Sequence, residues 1–520
     1  MATNSETQLV MQEKIKELAA RKKSISDYAS PEQIKERMQK HRMTARERLD
    51  QLFDPGTFNE IDMFVTHHCT YFGMETKDIP AEGVICGFGK VNGRLTFAYS
   101  QDFMALGGSF GEMHGNKILK VMQRALEAGA PVIGLLESGG LRLHEVMGPM
   151  VKFGELFHAN TIASGVIPQI SAIMGSVAGG QAYSPGLTDF ILMTEDSAMY
   201  IAGPSFVKTQ LHYDISEEDL GGAKMHASVS GVADMIIKDD KTCIETIKGL
   251  LAYLPQSNRE KAPYIPYTGT PTTEDFYSDA ANFKRALNMH KIINGVVDDG
   301  ILFEMKKNYA KSMITGFARM NGHSVGIIAN HSMVISGCID SRAAEKACRF
   351  VRFCDAFNIP IITFQDSPAY LIGKVEEQNG IITRGAKLLH AYSEATVPMV
   401  TVMVRNAYAG AQIAMSSKMM GSDYVFAWPT AKIASVGADT AASVIFRKEV
   451  AAAADPEKAK ADRIQEYTDK FLNPYYAAGR QDIDDVIHPA DTRNRVINAL
   501  EATLEKKVER PWRKHSNIPI

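Results

Sequence analysis

One run of small residues decides the fold: Val177-Ala178-Gly179-Gly180-Gln181-Ala182. A near copy follows later in the chain, Tyr408-Ala409-Gly410-Ala411-Gln412-Ile413. Each run comes after an apolar, strand-like segment (166–174 and 397–404) and opens a predicted helix. Backbone N–H groups at a helix start have no partner inside the helix and lie at its positive end, so they bind negative oxygen. Aimed at a thioester carbonyl, such a pair of N–H groups would stabilise an enolate. The alternative is a tight turn in which glycine merely avoids a clash.

The two runs belong to a longer internal repeat. Asn321-Gly322 matches Asn92-Gly93, an offset of 321 minus 92, or 229. Asp366-Ser367 matches Glu137-Ser138 at 366 minus 137, again 229, and aligning Gly410 with Gly179 gives 231. A register kept over so long a stretch predicts one fold used twice, and it gives the small-residue turn a shared purpose.

Short apolar strands alternate with helices, which predicts an α/β layer structure. The segment 254–279 interrupts this rhythm with four prolines and scattered polar residues, the composition of a linker. We therefore place the boundary there and predict two domains, 1–260 and 270–520.

Composition excludes several classes of protein. The chain has 520 residues, 45% hydrophobic and 22% charged, with a net charge of -3, so neither nucleic acid nor an anionic membrane is expected as a partner. Its six cysteines form no CxxC pair, so no structural metal site is expected, and their sparse use fits a reducing compartment, here the cytoplasm. Residues 1–20 lack an apolar core, so no signal peptide is expected, and no apolar run is long enough for a membrane span.

A protein acid or base is hard to find in the sequence. Ser138 and Ser367 end strands outside any G-x-S-x-G pattern, and the scattered histidines (His114, His144, His226) are expected to be structural or surface residues rather than catalytic bases. Oxyanion stabilisation without a protein base suits a reaction in which a cofactor or substrate carries the proton.

Several arginines are candidates for anion binding. Arg142 follows Gly139-Gly140 and either holds an anionic group or forms a surface salt bridge. Arg42, Arg46 and Arg48 lie on a basic helical segment and either contact phosphates or form a solvated face.

The chain resembles the carboxyltransferase component of biotin-dependent acyl-CoA carboxylases and decarboxylases over nearly its whole length. The motifs that carry this resemblance are Thr44-Ala45-Arg46-Glu47-Arg48-Leu49, Ser100-Gln101-Asp102-Phe103, Gly108-Ser109-Phe110-Gly111-Glu112, Ser138-Gly139-Gly140 with Arg142, Tyr183-Ser184-Pro185 with Thr188-Asp189-Phe190, Phe353-Cys354-Asp355-Ala356-Phe357-Asn358-Ile359-Pro360, Gly380-Ile381-Ile382 with Gly385-Ala386-Lys387, Ser393-Glu394-Ala395-Thr396-Val397-Pro398, Ala427-Trp428-Pro429 and Ile483-Asp484-Asp485-Val486-Ile487.

The resemblance implies a fold of two tandem crotonase-like (ββα spiral) domains and a homohexamer built as a trimer of dimers. The active site would lie where the N-terminal half of one subunit faces the C-terminal half of another. Carboxybiotin on a separate carrier protein would deliver CO2, the released biotin enolate would take the α proton of the acyl-CoA, and the acyl enolate would attack CO2. Separate biotin carboxylase and biotin carboxyl carrier subunits would be required.

The resemblance also implies site residues. Two pairs of backbone N–H groups, Gly179 with Gly180 and Gly410 with Ala411, would hold the two oxyanions, and which pair serves biotin is left open. Residues expected to bind the acyl-CoA are Gly139, Gly140, Arg142, Ile413, Ala369 and Tyr408. Arg46 is expected to bind the cofactor.

Three departures from the family pattern leave the substrate and direction open. Where the family reads Pro-Gly-Phe-Leu-Pro-Gly, this chain has Pro368-Ala369-Tyr370-Leu371-Ile372-Gly373, and where it reads Tyr-Gly-Gly-Ala-Tyr, this chain has Tyr408-Ala409-Gly410-Ala411-Gln412. Ile413 stands where the family sets acyl-chain preference. The alternatives are a decarboxylase that uses the same site in reverse, a CoA-ester hydratase or isomerase that uses Glu112, Glu137 or Glu145, and a non-catalytic assembly core.

Overall fold

The computed structural model describes residues 4–270, 272 and 274–519. The chain forms two compact units. The first comprises the described residues up to Ala252 together with Gln256–Arg259. The second comprises Tyr253–Pro255 and the described residues from Glu260 onward. Within the described residues, no helix is both long and apolar enough to cross a bilayer.

The first unit is a sheet with helices packed on it. Its strands are β1 (Asn59–Ile61), β2 (Val84–Val91), β3 (Arg94–Gln101), β4 (Val132–Ser138), β5 (Gln169–Ala178), β6 (Phe190–Thr194), β7 (Ala198–Tyr200) and β8 (Met235–Ile237). Its helices are α1 (Asn4–Ser26), α2 (Pro31–Gln39), α3 (Ala45–Leu52), α4 (Glu112–Ala128), α5 (Gly148–Ala163), α6 (Tyr183–Leu187), α7 (Pro204–Leu211), α8 (Glu217–Gly221), α9 (Ala223–Met225) and α10 (Asp240–Leu251). The sheet order is β1-β2-β3-β4-β5-β6-β8, with β7 paired to β5.

The second unit repeats this plan. Its strands are β9 (Phe303–Met305), β10 (Met313–Met320), β11 (His323–Asn330), β12 (Ile361–Ser367), β13 (Met399–Tyr408), β14 (Tyr424–Ala427), β15 (Lys432–Ala434) and β16 (Asp485–Val486). Its helices are α11 (Met289–Val296), α12 (Ser341–Ala356), α13 (Lys374–Gln378), α14 (Ile381–Glu394), α15 (Ala409–Ala414), α16 (Ala438–Ile445), α17 (Arg447–Ala452), α18 (Pro456–Phe471), α19 (Pro474–Gly479) and α20 (Thr492–Thr503). The sheet order is β16-β14-β13-β12-β11-β10-β9, with β15 paired to β13.

The predicted repeat is confirmed strand by strand. In each unit three strands pair antiparallel and the later strands pair parallel. The Asn-Gly hairpins are formed as predicted, with Asn92 at φ +50° and Asn321 at φ +49°. An aspartate carboxylate closes each hairpin: Asp54 accepts both turn N–H groups in the first unit, and Asp298 does so in the second. The α/β prediction is therefore correct, and the duplication extends to the capping contacts.

Helix α4 shows how the core is built from the sequence. Its buried apolar residues, Ile118, Val121, Met122 and Ala125, recur at helical spacing and pack into the core of the first unit. The helix ends at Gly129, whose φ of +64° is the left-handed conformation that glycine adopts without strain. The sequence predicts a helix from about Glu112 to Ala128, and these are the bounds observed.

Some boundaries differ from the prediction. The strands before the two small-residue runs begin later than predicted and continue to Ala178 and Tyr408, because each adds a short second partner strand, β7 or β15, at its end. The sequence predicts an amphipathic last helix over 492–508, but α20 stops at Thr503. Pro271 in the predicted linker lies outside the described residues.

The C-terminal tail packs on its own unit. Arg510 donates to the backbone carbonyl of Ala395 at 3.1 Å, and Arg513 pairs with Glu394. Ser516 also donates to Glu394, at 3.0 Å. The basic end is therefore held by the C-terminal end of α14.

Candidate active site

The first small-residue turn follows β5. Ala178, the last residue of β5, pairs with Tyr200 of β7, and Gly179 then turns the chain with φ +68°. A short 3-10 turn (Gly179–Ala182) leads into α6, and no described side chain caps its N–H groups. Gly180 lies under the Phe153 ring, so an added Cβ would be 2.8 Å from a ring carbon.

The second turn follows β13. Tyr408, the last residue of β13, pairs with Ala434 of β15, and Ala409 turns the chain with φ +49°. Helix α15 begins there, and again no described side chain caps its first N–H groups. A Cβ added at Gly410 would lie 3.5 Å from the Tyr370 ring, an ordinary contact.

The strand register corrects the alignment of the two turns. Ala178 and Tyr408 both end the long strand and both pair with the third residue of the short one, so Gly179 aligns with Ala409 and the offset is 409 minus 179, or 230. The alignment of Gly179 with Gly410 was therefore wrong by one residue. Sequence comparison paired the glycines, whereas the backbone pairs the two left-handed residues.

Gly139 and Gly140 shape the loop beside the first turn. Their N–H groups donate to the Gly107 carbonyl at 2.9 Å and to Ser138 Oγ at 3.2 Å. Gly140 has φ +98°, and an added Cβ would lie 3.2 Å from the carbonyl oxygen of Ala178. These glycines thus allow a close approach to the end of β5. Because their amides are already bonded within the protein, these two N–H groups are not available to hold a substrate oxygen.

Ala369 occupies the place of Gly140 in the second unit. Its carbonyl accepts the Ile339 N–H at 3.1 Å, as the Gly140 carbonyl accepts the Phe110 N–H at 2.8 Å. Unlike Gly140, Ala369 has no left-handed backbone. The loop that contains Ala369 departs from the family pattern. It nevertheless keeps the strand-like backbone contact with Ile339, just before α12.

Arg142 is a buried structural residue rather than a surface one. Its guanidinium pairs with Glu82 and, at 2.8 Å, with Glu145, and it also donates to the Ser109 hydroxyl and carbonyl. Its side chain is 1% exposed. The guanidinium is satisfied by protein oxygens, so the surface salt bridge was a wrong expectation, and direct pairing with a substrate anion has no support in this geometry.

The helical arginines are also paired within the first unit. Arg46 forms a two-pronged bond with Glu60, at 2.7 and 3.2 Å. Arg48 is fully buried and bridges Glu137 and Asp240, each at 2.8 Å. Arg42 pairs with Glu137 at 3.2 Å and with Asp196 at 2.8 Å. The basic segment therefore anchors α3 to the sheet, and of these three arginines Arg46 is the most exposed.

Glu137 is poorly suited to act as a catalytic acid. Burial disfavours its charge, but the guanidinium groups of Arg48 and Arg37 outweigh burial and hold the pKa of Glu137 below its usual range. Glu145 is bonded to Arg142 and accepts the Glu112 N–H at 2.6 Å. Two of the three carboxylates that could serve a hydratase are thus committed to internal contacts.

Of the three histidines, His114 is held inside the first unit by protein partners. His114 is fully buried, with Nδ1 3.0 Å from the Glu82 carbonyl and Nε2 3.2 Å from the Gln101 amide nitrogen. These partners fix the neutral Nδ1–H tautomer, since Nδ1 must donate and Nε2 must accept. Burial, with Arg142 close by, lowers the pKa of His114 well below 6.5.

A pocket of about 950 Å³ opens at the second turn, within the second unit. Ala409, Gly410 and Ile413 line one side of it. Tyr408 precedes them, and burial raises the pKa of its phenol to about 12, so it stays protonated and can donate a hydrogen bond. The opposite wall is aromatic.

Sequence reasoning missed this aromatic wall. Tyr467 and Phe471 come from α18 and Tyr476 from α19, and each neighbouring pair of rings has centroids 5.2 Å apart. The spacing of Tyr467 and Phe471, four residues apart on one helix, was the available signal. It points to a shared face without revealing that the face lines a pocket.

Comparison with known proteins identifies the family of the chain. The family model described as "Carboxyl transferase domain" matches residues 36–518. The methylmalonyl-CoA decarboxylase subunit alpha of Propionigenium modestum is 47% identical over 98% of this chain and 100% of its own. The propionyl-CoA carboxylase carboxyltransferase subunit of Haloferax mediterranei is 46% identical, with the same coverage of both chains.

A solved structure confirms the fold class. The transcarboxylase 12S hexamer, solved with methylmalonyl-coenzyme A and methylmalonic acid bound, superposes with a TM-score of 0.95 at 42% identity, covering 100% of this chain and 99% of its own. The predicted tandem crotonase-like fold is therefore correct. The hydratase and the non-catalytic core are not favoured, because the relatives are enzymes that transfer carboxyl groups.

The match over 36–518 and the relatives that align from end to end lead to one conclusion: the chain belongs to the carboxyl transferase family, the biotin-dependent carboxyltransferases that act on CoA esters.

Proposed function

We propose that the chain moves a carboxyl group between carboxybiotin on a carrier protein and the α carbon of a short acyl-CoA, the propionyl-CoA and methylmalonyl-CoA pair. The observation that carries the proposal is the duplicated turn, in which uncapped backbone N–H groups lie at or directly after a left-handed residue that ends the long strand in both units. The reaction develops negative charge on two carbonyl oxygens, one of the thioester and one of biotin. Two turns match this demand.

The chain's own part is electrostatic. Gly179 and Gly180 hold one oxyanion, and Gly410 and Ala411 hold the other, through backbone N–H groups that need no reorganisation during the reaction. Ala411 is fully buried and its carbonyl accepts from Gln365 at 3.2 Å, which fixes the start of α15. Carboxybiotin supplies the CO2 and, once decarboxylated, the base for the α proton, so no protein base is required.

The pocket at the second turn fits a small carbonyl ligand with an apolar body. It has apolar and aromatic walls, a few polar groups and the N–H groups of α15 at its edge. Gly410 stands directly at that edge. Ligand pockets of this size commonly combine such walls with a few polar groups that fix orientation.

The relatives' names support the choice of acyl group. They include a methylmalonyl-CoA decarboxylase, a propionyl-CoA carboxylase and a methylmalonyl-CoA carboxyltransferase, which share one pair of acyl groups. We propose that this chain uses the same pair. The direction is then set by partner subunits that supply or consume carboxybiotin.

We further propose that each unit is one carboxyltransferase domain, that the chain assembles as a homohexamer with separate biotin-carrying subunits, and that Gly139, Gly140, Ile413, Ala369 and Tyr408 surround the substrate. The hexamer is supported by the transcarboxylase 12S relative, whose structure is described as a hexamer assembly. A location in the cytoplasm is consistent with the six cysteines, which are all free thiols. Arg46, which is partly exposed and paired with Glu60, is the cationic candidate for a phosphate of the cofactor or of CoA.

Labelled carboxyl exchange tests the function directly. The purified protein is incubated with carboxyl-labelled methylmalonyl-CoA and free biotin, and with labelled carboxybiotin and a panel of acyl-CoA esters. Transfer between biotin and one ester pair supports the proposal and names the substrate. Binding of CoA esters without transfer to or from any of them would overturn it. Glu112→Gln is the matched variant for the hydratase alternative, since transfer that survives it cannot depend on that carboxylate.

A further inference from the structure

We propose that Ala409 is a specificity-determining residue, whose methyl group limits the size of the ligand group that can be seated against the second turn. This inference rests on the proposed function. It adds the residue that decides which ligand fits.

The backbone fixes where this methyl lies. Ala409 aligns with Gly179 by strand register, and both residues are left-handed, at φ +49° and +68°. A Cβ built on Gly179 has open space around it, with its nearest neighbour, the Ile201 carbonyl oxygen, 3.9 Å away. The first turn therefore has no side chain at this position, whereas the second carries one methyl group at the same backbone position.

That methyl faces the pocket. Ala409 is exposed and lines the cavity together with Gly410. Ile413, further along α15, also lines the pocket. Ala409 and Ile413 thus form an apolar border beside the N–H groups that bind the carbonyl oxygen.

The left-handed alanine has an energetic cost. A Cβ disfavours the left-handed region relative to the right-handed form, because it approaches the following carbonyl oxygen. Glycine would avoid the strain, as it does at position 179. Residues in sparsely populated conformations cluster at functional sites, and here the strained atom is the one that borders the pocket.

One methyl group at such a border is enough to change selectivity. Adding or removing one methylene in an apolar pocket changes discrimination by about 10–200-fold. The ligand whose carbonyl lies on this turn is therefore held to a smaller substituent than a glycine would allow. Two ligands carry such a carbonyl, the acyl-CoA thioester and the ureido ring of biotin.

The decisive variant is Ala409→Gly, with Ala310→Gly as its matched control. Ala310 is also a left-handed alanine of the second unit, at φ +43°, but it lies before β10 and does not line the pocket. Both substitutions relieve the same backbone strain. Only Ala409→Gly removes a methyl from the site.

Kinetics and binding are both measured. For acyl-CoA esters that differ by one methylene, Ala409→Gly is expected to raise the relative kcat/KM of the longer ester by about 10-fold, with less than a roughly twofold change in Ala310→Gly. The kcat/KM for biotin relative to that for desthiobiotin is measured in the same three proteins. Calorimetric titration with each ester and with biotin gives the corresponding ratio of Kd values without chemistry.

Each result either supports or overturns the role of Ala409. A shift in the acyl ratio supports the proposal and assigns the thioester to this turn, while a shift in the biotin ratio supports it and assigns the ureido carbonyl. Equal ratios in Ala409→Gly, Ala310→Gly and the parent protein overturn it. Failure of the proposed function is seen separately, as a parent protein that transfers no carboxyl group at all.

Discussion

Glu137 and Asp366 occupy equivalent places at the ends of β4 and β12, yet their charges are balanced by different parts of the chain. Glu137 is paired with Arg37, Arg42 and Arg48, which come from the N-terminal helical segment. Asp366 lies 3.3 Å from Arg405, which comes from the adjacent strand β13. In the first unit the position of Arg405 is taken by Gly175, where a Cβ would be 2.4 Å from the Glu137 side chain. The N-terminal helices thus supply a charge that the second unit builds into its sheet.

The first prediction concerns this buried charge cluster. Glu137→Gln leaves Arg48 fully buried with Asp240 as its remaining acidic partner, and loss of one partner of a buried pair costs about 3–5 kcal/mol. The variant should therefore unfold at a clearly lower temperature. Glu17→Gln, which breaks an exposed pair with Arg21 on α1, should leave the unfolding midpoint nearly unchanged, because solvent screens such pairs. Calorimetry of both variants checks this, and similar midpoints in the two would contradict it.

The second prediction concerns the ring over the first turn. In Gly180→Ala the new methyl meets the Phe153 ring at 2.8 Å, and overpacking of this kind costs about 1–3 kcal/mol. Gly410→Ala is the matched change at the second turn, where the Tyr370 ring is 3.5 Å away, so its stability should stay near that of the parent.

Phe153→Leu tests the cause of the clash. A smaller side chain makes room for the methyl, so the double variant Gly180→Ala with Phe153→Leu should be more stable than the two separate losses predict. Thermal midpoints for the cycle give the coupling. If the losses of stability in the two single variants simply add in the double variant, the Phe153 ring is not what opposes the methyl group added in Gly180→Ala.

The third prediction transfers the alanine of the second turn to the first. Gly179→Ala has open space for its methyl group, and Ala409 shows that the equivalent turn of the second unit accepts a left-handed alanine. We expect a folded protein that loses about 1–2 kcal/mol from backbone strain. Carboxyl exchange should also slow for the larger members of the ester panel or for biotin, whichever binds the first turn. A change in activity with no selectivity between ligands would argue against a binding role for this turn.

The fourth prediction is a pH dependence of stability. Because burial lowers the pKa of His114 well below 6.5 in the folded protein, the unfolded chain takes up that proton first as the pH falls. Above about pH 7 the histidine is neutral in both states and costs no stability. Below about pH 6.5 the free energy of unfolding falls by up to about 1.4 kcal/mol per pH unit, until the pKa of the folded state is reached.

His114→Gln removes this proton and should flatten the loss of stability between about pH 6.5 and about pH 5. Urea midpoints at several pH values measure the slope for the variant and the parent. His515→Gln, at an exposed position in the tail, is the control and should keep the parent slope. Equal slopes in all three proteins would rule out His114 as the source.

The sequence alone determined the fold class, the duplication and the two turns. It did so because these features depend on local patterns: period-two apolar runs, Asn-Gly hairpins and small residues at the start of a helix. The same local rules placed α4 correctly, from its apolar spacing to the glycine that ends it.

The tertiary structure decided how the candidate residues are used. Arg142 was a plausible anion binder by sequence, but Glu82 and Glu145 come to it across the fold and take up its charge. The aromatic wall of Tyr467, Phe471 and Tyr476 becomes a pocket lining only when two helices are brought to the second turn. The match of Gly179 with Ala409 rests on strand pairing, because φ angles and register are set by neighbours in space, whereas a sequence repeat records only which residues are alike.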